Sequence, residues 1–370
     1  MKIRSILLSL ALCAALLLSA AYAAGGDAGD PLISLDYLQK IFTPAAESAV
    51  QEKLDASGKT VYDAAESIWR AAAASAEAAA GSQHTSAWAE ACLKEGDILS
   101  VLTGSQVILL AGEAQFTGGV LVDVTDGTEL ASGGALKARH RYLAAEDTAA
   151  LVKVSAPTAV LDYCGDYHIS PSSDAPDCYA MATALRSLTL LRGTGSGFGE
   201  GFGLENGSNR VEALTMLLRL LGEEDDALEC DAPQPFRDVP DWADRYVAYA
   251  YEKGYTNGVS ATQFAPFMPL NAGMYVEFIL RALGYSDTTQ TDVSTSVSRA
   301  KNAGVLTAGE ESALQGDRFL RSDLVYLSWY ALEAPVSGSV QTLHAKLEST
   351  GVFAADAYRS AKSSVTSARR

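Results

Sequence analysis

The sequence predicts an α+β chain of several domains: N-terminal helices, a small antiparallel β domain, and a C-terminal all-α region built from three helix–loop–helix units. Three observations carry that prediction. At 370 residues the chain exceeds what one core sustains, because single cores stop growing near about 250 to 300 residues. The hydrophobic period changes from helical to alternating at Gly96 and back to helical after Asp177. A helix–loop–helix pattern then recurs three times with nearly constant internal spacing.

Residues 1–23 read as a secretory signal peptide. Lys2 and Arg4 precede an apolar run from Ile6 to Leu18, and Ala21-Tyr22-Ala23 supplies a small-residue cleavage pattern. The run is shorter than the roughly 20 residues a membrane span requires, and Leu12 before Cys13 is not the small residue that lipidation needs. The mature chain is therefore expected outside the membrane, with no stable span after cleavage.

Residues 24–95 are rich in alanine. Val61, Ala65, Ile68 and Ala72 fall at helical spacing, and "RAAAASAEAAAG" is helical by propensity with Gly81 as its stop, so two or three helices are expected. Residues 96–170 form the predicted β domain. In "VLVDVTDG" the valines Val120, Val122 and Val124 share one face, Asp123 and Thr125 the other, and Asp126-Gly127 supplies turn chemistry. "ISPSSDAP", Ile169 to Pro176, reads as a linker.

The three helical units align on the glycine that ends each first helix: Gly193, Gly254 and Gly304. A second helix begins sixteen or seventeen residues later, at Asn209, Asn271 and Leu320. Phe202 and Phe264 each sit seven positions before that start, and the second helices finish at Gly222, Gly284 and Glu333. One such unit has too little apolar surface to offset its ordering entropy, so the units must pack on one another. In the middle unit Trp242, Tyr246 and Ala250, with Ala243 and Val247 beside them, make a stripe expected in the core. Asp238 and Asp241 read as the cap and Gly254 as the stop, while Tyr249 and Tyr251 lie off the stripe, where a groove would be.

These residues resemble the S-layer homology (SLH) repeat of bacterial cell-surface proteins. The matching text is "FRDVPDWADRYVAYAYEKGYTNGVSATQFAPFMPLN…FILRALG", with its Phe-x-Asp opening, Trp-Ala helix start, Gly-Tyr-x-x-Gly turn and Phe-x-Pro lead into the second helix. The resemblance implies repeats at 177–235, 236–290 and 291–335 in a pseudo-threefold bundle, followed by a helical, polar tail at 336–370. It further implies non-covalent docking onto a secondary cell-wall polysaccharide, including one bearing pyruvate ketals, through a Thr-Arg-Ala-Glu-like motif at the start of each second helix. A ketal carboxylate matches a guanidinium through two parallel hydrogen bonds.

Carried over by position, the first copy has "NRVE", with Arg210 and Glu212, and the third has "LRSD", with Arg321 and Asp323. The second has "NAGM", Asn271 to Met274, and neither charge, so at most two grooves are competent. Trp242, Tyr249, Tyr251 and Gly254 complete the glycan-binding set that the resemblance implies. An arginine beside the positive end of a helix is mildly unfavourable, which favours function over a merely solvated charge.

Composition removes several rivals. A formal charge of −17, more negative once Lys2 and Arg4 are gone, repels nucleic acid and anionic lipid at long range. "RGTGSGFGEGFG" follows a helix, lacks the Lys-Ser/Thr ending, and is a turn instead of a phosphate loop. "LDYCGDYHIS" gathers Asp162, Cys164, Asp166 and His168 on one strand face, whereas His84, His140 and His344 stand alone in sequence and no HExxH or GxSxG occurs. No metal, cofactor or catalytic group is expected. Cys92, Cys164, Cys178 and Cys230 show no CxxC, and Cys164 with Cys178 is the one candidate bridge. The favoured class is a wall-anchored surface protein. A protein-interaction scaffold with degenerate repeats is the alternative, and a wall hydrolase using carboxylates of the β domain is third.

Overall fold

The computed structural model describes residues 38–146, 148–193, 197–286, 292–316 and 318–370, with backbone alone at 38, 55, 66 and 68–80. The signal peptide expected at 1–23 lies outside the described residues. Two compact units divide at Trp69 and Arg70.

In the first unit a short π-turn at Leu38–Phe42 leads into α1 (Thr43–Ala80), one continuous helix of 38 residues where two or three helices were expected. No glycine or proline strong enough to break it follows Pro44, and Gly58 alone interrupts the good helix formers. Ile41, Phe42, Val50, Leu54, Val61 and Tyr62 are exposed.

The second unit opens with β1 (Gln83–Lys94), a strand in residues that the sequence reading assigned to the helical segment. Six more strands follow: β2 (Ile98–Val101), β3 (Gln106–Gly118), β4 (Leu121–Asp123), β5 (Thr128–Leu130), β6 (Arg141–Ala144) and β7 (Ala150–Ser170). The sheet runs β1-β7-β3-β6-β4-β5, and β2 also pairs with β7. The 21-residue β7 is bent so that Ile98 of β2 stands opposite both Lys153 and Ser170. The pairing of β3 with β7 shifts between Gly112 and Ala114, opposite the stretch of β7 that holds Pro157, a residue with no N–H for a ladder. There Gly112 (φ +81°) approaches so closely that a Cβ would meet the Thr158 carbonyl oxygen at 2.3 Å. Leu99, Val101, Val107, Leu109, Phe116, Tyr142, Val152 and Leu161 fill the core of the sheet.

On β4 the face that holds Asp123 is the buried one. Leu121 and Asp123 are buried and Val124 is exposed. The reason is local chemistry: the Asp123 carboxylate accepts N–H bonds from Thr125 (3.0 Å) and Asp126 (3.1 Å) and lies 2.9 Å from His140 Nδ1, so it enters the fold already satisfied.

The helical part contains α2 (Cys178–Ser187), α3 (Arg210–Leu220), α4 (Glu224–Leu228), α5 (Asp244–Glu252), α6 (Ala272–Ala282), α7 (Ser296–Asn302), α8 (Ala308–Ala313), α9 (Arg321–Ala331), α10 (Leu343–Ser349) and α11 (Ala355–Ser364). Helices α3, α6 and α9 touch one another pairwise, and each carries an outer helix from another unit: α5 on α3, α7 on α6, α2 on α9. Their shared core includes Phe202, Leu214, Phe264, Tyr275, Phe278, Val325 and Trp329.

The segment 336–370 is part of this body. Leu343, Leu347, Phe353, Tyr358 and Ala361 are buried in the same core, and Arg369 donates to Glu310 through Nε (2.8 Å) and Nη2 (2.9 Å). The bridge expected between Cys164 and Cys178 is absent: all four described cysteines are free thiols. Burial pushes the Cys178 thiol up to about 12.

Candidate functional site

The second helices begin at N-caps Asn209, Asn271 and Leu320, and their first turns are held by neighbouring loops. The N–H groups of Arg210 and Val211 donate to the carbonyls of Met268 and Pro266, both at 3.0 Å. Those of Arg321 and Ser322 donate to Asn206 (2.8 Å) and Leu204 (3.0 Å). Donors that a helix leaves unpaired at its start are thus used to lock one unit onto the next. As a result, the residue at the first helical position, an arginine in two of the three, is drawn beneath the adjacent loop.

Arg210 is 5% exposed. Its Nη2 donates to Thr256 Oγ1 at 3.1 Å, and its guanidinium carbon lies 5.0 Å from the Phe264 ring centre and 4.9 Å from that of Phe278. Nε is buried and has no partner. No carboxylate among the described residues pairs with it, and burial, with Arg281 nearby, lowers its pKa from 12.5 to about 10. This guanidinium lines a cavity of about 820 Å³ with Tyr251, Asn257, Ser260, Glu277 and Arg281. The cavity is the size of an ordinary small-ligand site.

The loop that roofs it owes its shape to the Phe-x-Asp and Gly-Tyr-x-x-Gly elements. Asp238, expected as a helix cap, instead accepts the N–H groups of Phe264 and Ala265, both at 2.8 Å, and holds Ala265 at φ +57°. Gly258 (φ +72°) lies against Phe236, where a Cβ would be 2.3 Å from the ring. The short turn Asp241–Ala243 before α5 starts after Pro240, without a side-chain cap.

Arg321 lines a second cavity, of about 590 Å³, on the other side of α3. Its Nε donates to the Phe202 carbonyl at 2.9 Å, and Nη1 stands 3.9 Å from Glu212 Oε2. Burial lowers its pKa and Glu212 opposes that shift. Glu212 therefore belongs to the Arg321 cavity and not to that of Arg210. It also closes a capping box, accepting from the N–H of Asn209 at 3.3 Å while Asn209 Oδ1 accepts from its own N–H at 3.0 Å. Asp323 accepts from the Leu320 N–H at 2.9 Å and caps α9. The third helix start, at α6, has Ala272 at the arginine position, and that alanine is buried.

The aromatic assignments divide. Tyr251 lines the Arg210 cavity and stands edge-on to Phe236, with ring centres 5.4 Å apart. Tyr249, expected at a groove, is 6% exposed and packs with Tyr246 against Leu218 and Ala227. Trp242, expected on the core stripe, is 56% exposed and lines neither cavity. The cause is the turn at Asp241–Ala243, which rotates Trp242 off the face that Val247 and Ala250 bury. Gly254 (φ +75°) ends α5 through its N–H to the Tyr251 carbonyl at 3.0 Å and lines neither cavity.

Sequence reading missed Thr256, Phe264, Phe278 and Arg281 as neighbours of Arg210, since their contacts cross between units. The histidines that stand alone in sequence acquire partners. His84 Nδ1 is 2.8 Å from Asp166, and His140 joins Asp123 and Asp126 with ligand atoms all within 4.8 Å of one another. The Lys137 ammonium already binds Asp126 there, which gives the trio a neutralising partner without an ion. Asp162, Cys164, Asp166 and His168 form no metal-ligating group among the described residues: Cys164 turns to the Thr85 carbonyl and His168 to that of Gly81.

No protein-family model matches this chain. A protein of Thermoanaerobacter kivui described as "Cell surface protein" is 36% identical over 118 residues, which are 31% of this chain and 15% of that protein. The chain thus spans a small fraction of the relative's length, and the similarity supports a cell-surface protein. Among solved structures, the wild-type Clp1p–Pcf11p complex aligns with 75% of this chain and 71% of its own at 13% identity and a TM-score of 0.12, too low to bear on the fold.

Proposed function

We propose that this is a non-catalytic, secreted surface protein whose residues 177–335 are SLH-type repeats that bind an anionic secondary cell-wall polysaccharide. The observation that carries the reading is the Arg210 guanidinium, buried without a carboxylate, its Nε unpaired, at the wall of a cavity of about 820 Å³. An unpaired buried cation is costly unless something anionic completes it. A sugar carboxylate would do so, with Tyr251 to pack on the ring and Asn257 and Ser260 to meet hydroxyls. The cell-surface relative and the motif string of the middle repeat support the same reading. Charge on the protein as a whole does not attract such a polymer, so recognition rests on these local groups.

The test is sedimentation of the full chain with purified walls, before and after chemical removal of the non-peptidoglycan polymer. Binding should vanish with the polymer, and Arg210→Ala should weaken it by about tenfold or more, with Arg321→Ala next. Binding that persists on stripped peptidoglycan, or a double variant that binds as well as wild type, would overturn the proposal. The scaffold alternative is favoured only by the uncharged "NAGM" start of the second repeat, and it predicts no wall binding at all.

A further inference from the structure

The Arg321 cavity is not walled by the repeats alone. Gly112 and the neighbouring backbone of β3 form one side, together with Arg139 of the β domain, while Phe198, Glu205 and Asn206 of the first repeat's loop form the other. The two sides are tied by Arg318 to Glu113 at 3.1 Å, and by the Gly199 N–H to Glu90 Oε1 at 3.0 Å. Arg139 holds a left-handed backbone (φ +65°), uncommon for a residue with a side chain. Its N–H donates to the Leu109 carbonyl at 2.7 Å, which fixes that conformation. Its guanidinium has no ion-pair or hydrogen-bond partner among the described residues, although it borders a cavity that contains Glu205 and Glu212.

We propose that the β domain is the second jaw of the Arg321 groove, and that Arg139 and Arg321 together clamp the carboxylate of an acidic saccharide. Two guanidinia from opposite walls supply planar donors that a carboxylate can bridge. Phe198, 41% exposed, offers a face for the sugar ring, and Glu205 and Asn206 accept from and donate to hydroxyls. Because the β domain closes one side, this groove takes a chain end or short branch, whereas the Arg210 cavity is walled by helical-repeat residues alone. The inference rests on the glycan-binding reading above and assigns the β domain a part in it.

The experiment is calorimetric titration of the full chain carrying Arg210→Ala with a pyruvate-ketal monosaccharide and with its methyl ester. Arg139→Ala and Arg321→Ala should each weaken binding of the acid by about tenfold, and the ester should bind about tenfold more weakly than the acid. Arg139→Gly keeps the left-handed backbone without strain and should lose as much affinity as Arg139→Ala, which separates the side chain from the fold. Unchanged affinity in both Arg139 variants while Arg321→Ala loses binding would overturn the second jaw and leave the glycan reading intact. Tighter binding after Arg139→Ala would make the β domain a cover and overturn the proposal. So would a chain with Arg210→Ala that binds nothing while the wild type binds the acid. Loss of wall sedimentation in the wild type itself would instead remove the reading beneath it.

Discussion

Arg210 is costly to the fold, and the proposed ligand would offset that cost. Thr256 and the faces of Phe264 and Phe278 compensate part of its desolvation, but no carboxylate does. Its pKa is lowered from 12.5 to about 10, so the unfolded chain holds the proton more tightly and the charged form opposes folding at every pH below about 10. Replacing it with an apolar side chain of similar length removes that penalty. Arg210→Met is expected to raise the melting temperature in the absence of ligand by roughly 2 to 4 °C, about 1 kcal/mol for a body of this size. Calorimetric scans at pH 7 with and without soluble wall polysaccharide check this: the wild type should gain more stability from the polymer than the variant, which keeps only the Arg321 cavity. A variant less stable than wild type at pH 7 would mean that Arg210 is a structural residue first.

At the scale of elements, a glutamate is hydrogen-bonded on or against each of the three central helices. Glu224 meets Arg219 Nη2 at 2.7 Å and Tyr246 Oη at 3.0 Å, and Glu310 meets Arg369 and Tyr326. Glu277 on α6 accepts from Arg281 Nε (2.9 Å), Ser286 (2.9 Å) and Ser296 (2.7 Å), and it is also bound by Arg299 of α7. Burial pushes the Glu277 carboxyl up, but the hydrogen bonds from Ser296, Arg281, Ser286 and Arg299 outweigh that and hold it below the ordinary 4.5. A depressed acid contributes its stability above the unfolded value and loses it as pH falls through the folded one. Glu277→Gln should therefore cost about 3 kcal/mol at pH 7, since Arg281 and Arg299 lose their shared anion. The deficit should narrow progressively below about pH 4.5. Urea titrations of both proteins at pH 7, 5 and 3.5 measure it; a deficit independent of pH would show that the hydrogen-bond geometry matters and the charge does not.

These clamps also mark where sequence was informative. The starts of α3, α6 and α9 after Asn209, Asn271 and Leu320 follow from a spacing visible in one dimension, although α2 ends at Ser187 and not at the expected Gly193, and Leu320 makes no side-chain cap. The distant partners were not legible: Ser296 and Arg299 lie 19 and 22 positions from Glu277, Thr256 lies 46 from Arg210, and only packing brings them together. Trp242 was misplaced because a helical wheel drawn through it assumes that α5 already runs at Asp241, whereas the chain there is a tighter turn.

For the molecule as a whole, the decisive quantity is the mismatch between a net charge of −17 and the anionic partner proposed for it. Two opposing effects of salt follow. Close contacts between Arg210 or Arg321 and a carboxylate form inside partly desolvated cavities and are screened weakly, so dissociation should change little with ionic strength. Approach is different, because the repulsion acts over the Debye length, about 30 Å at 0.01 M and about 8 Å at 0.15 M salt. A polyanion nearing this surface at low salt meets the acidic excess before it can reach either arginine. The association rate should therefore rise between 0.01 and 0.15 M, by roughly two- to tenfold, which is the reverse of what a basic polyelectrolyte binder shows. Surface plasmon resonance with immobilised protein and soluble polysaccharide, run at four ionic strengths, separates the two rates. An association rate that falls with salt would mean that a local basic field steers the polymer, and the glycan path would then have to be sought on a positive surface outside the two cavities.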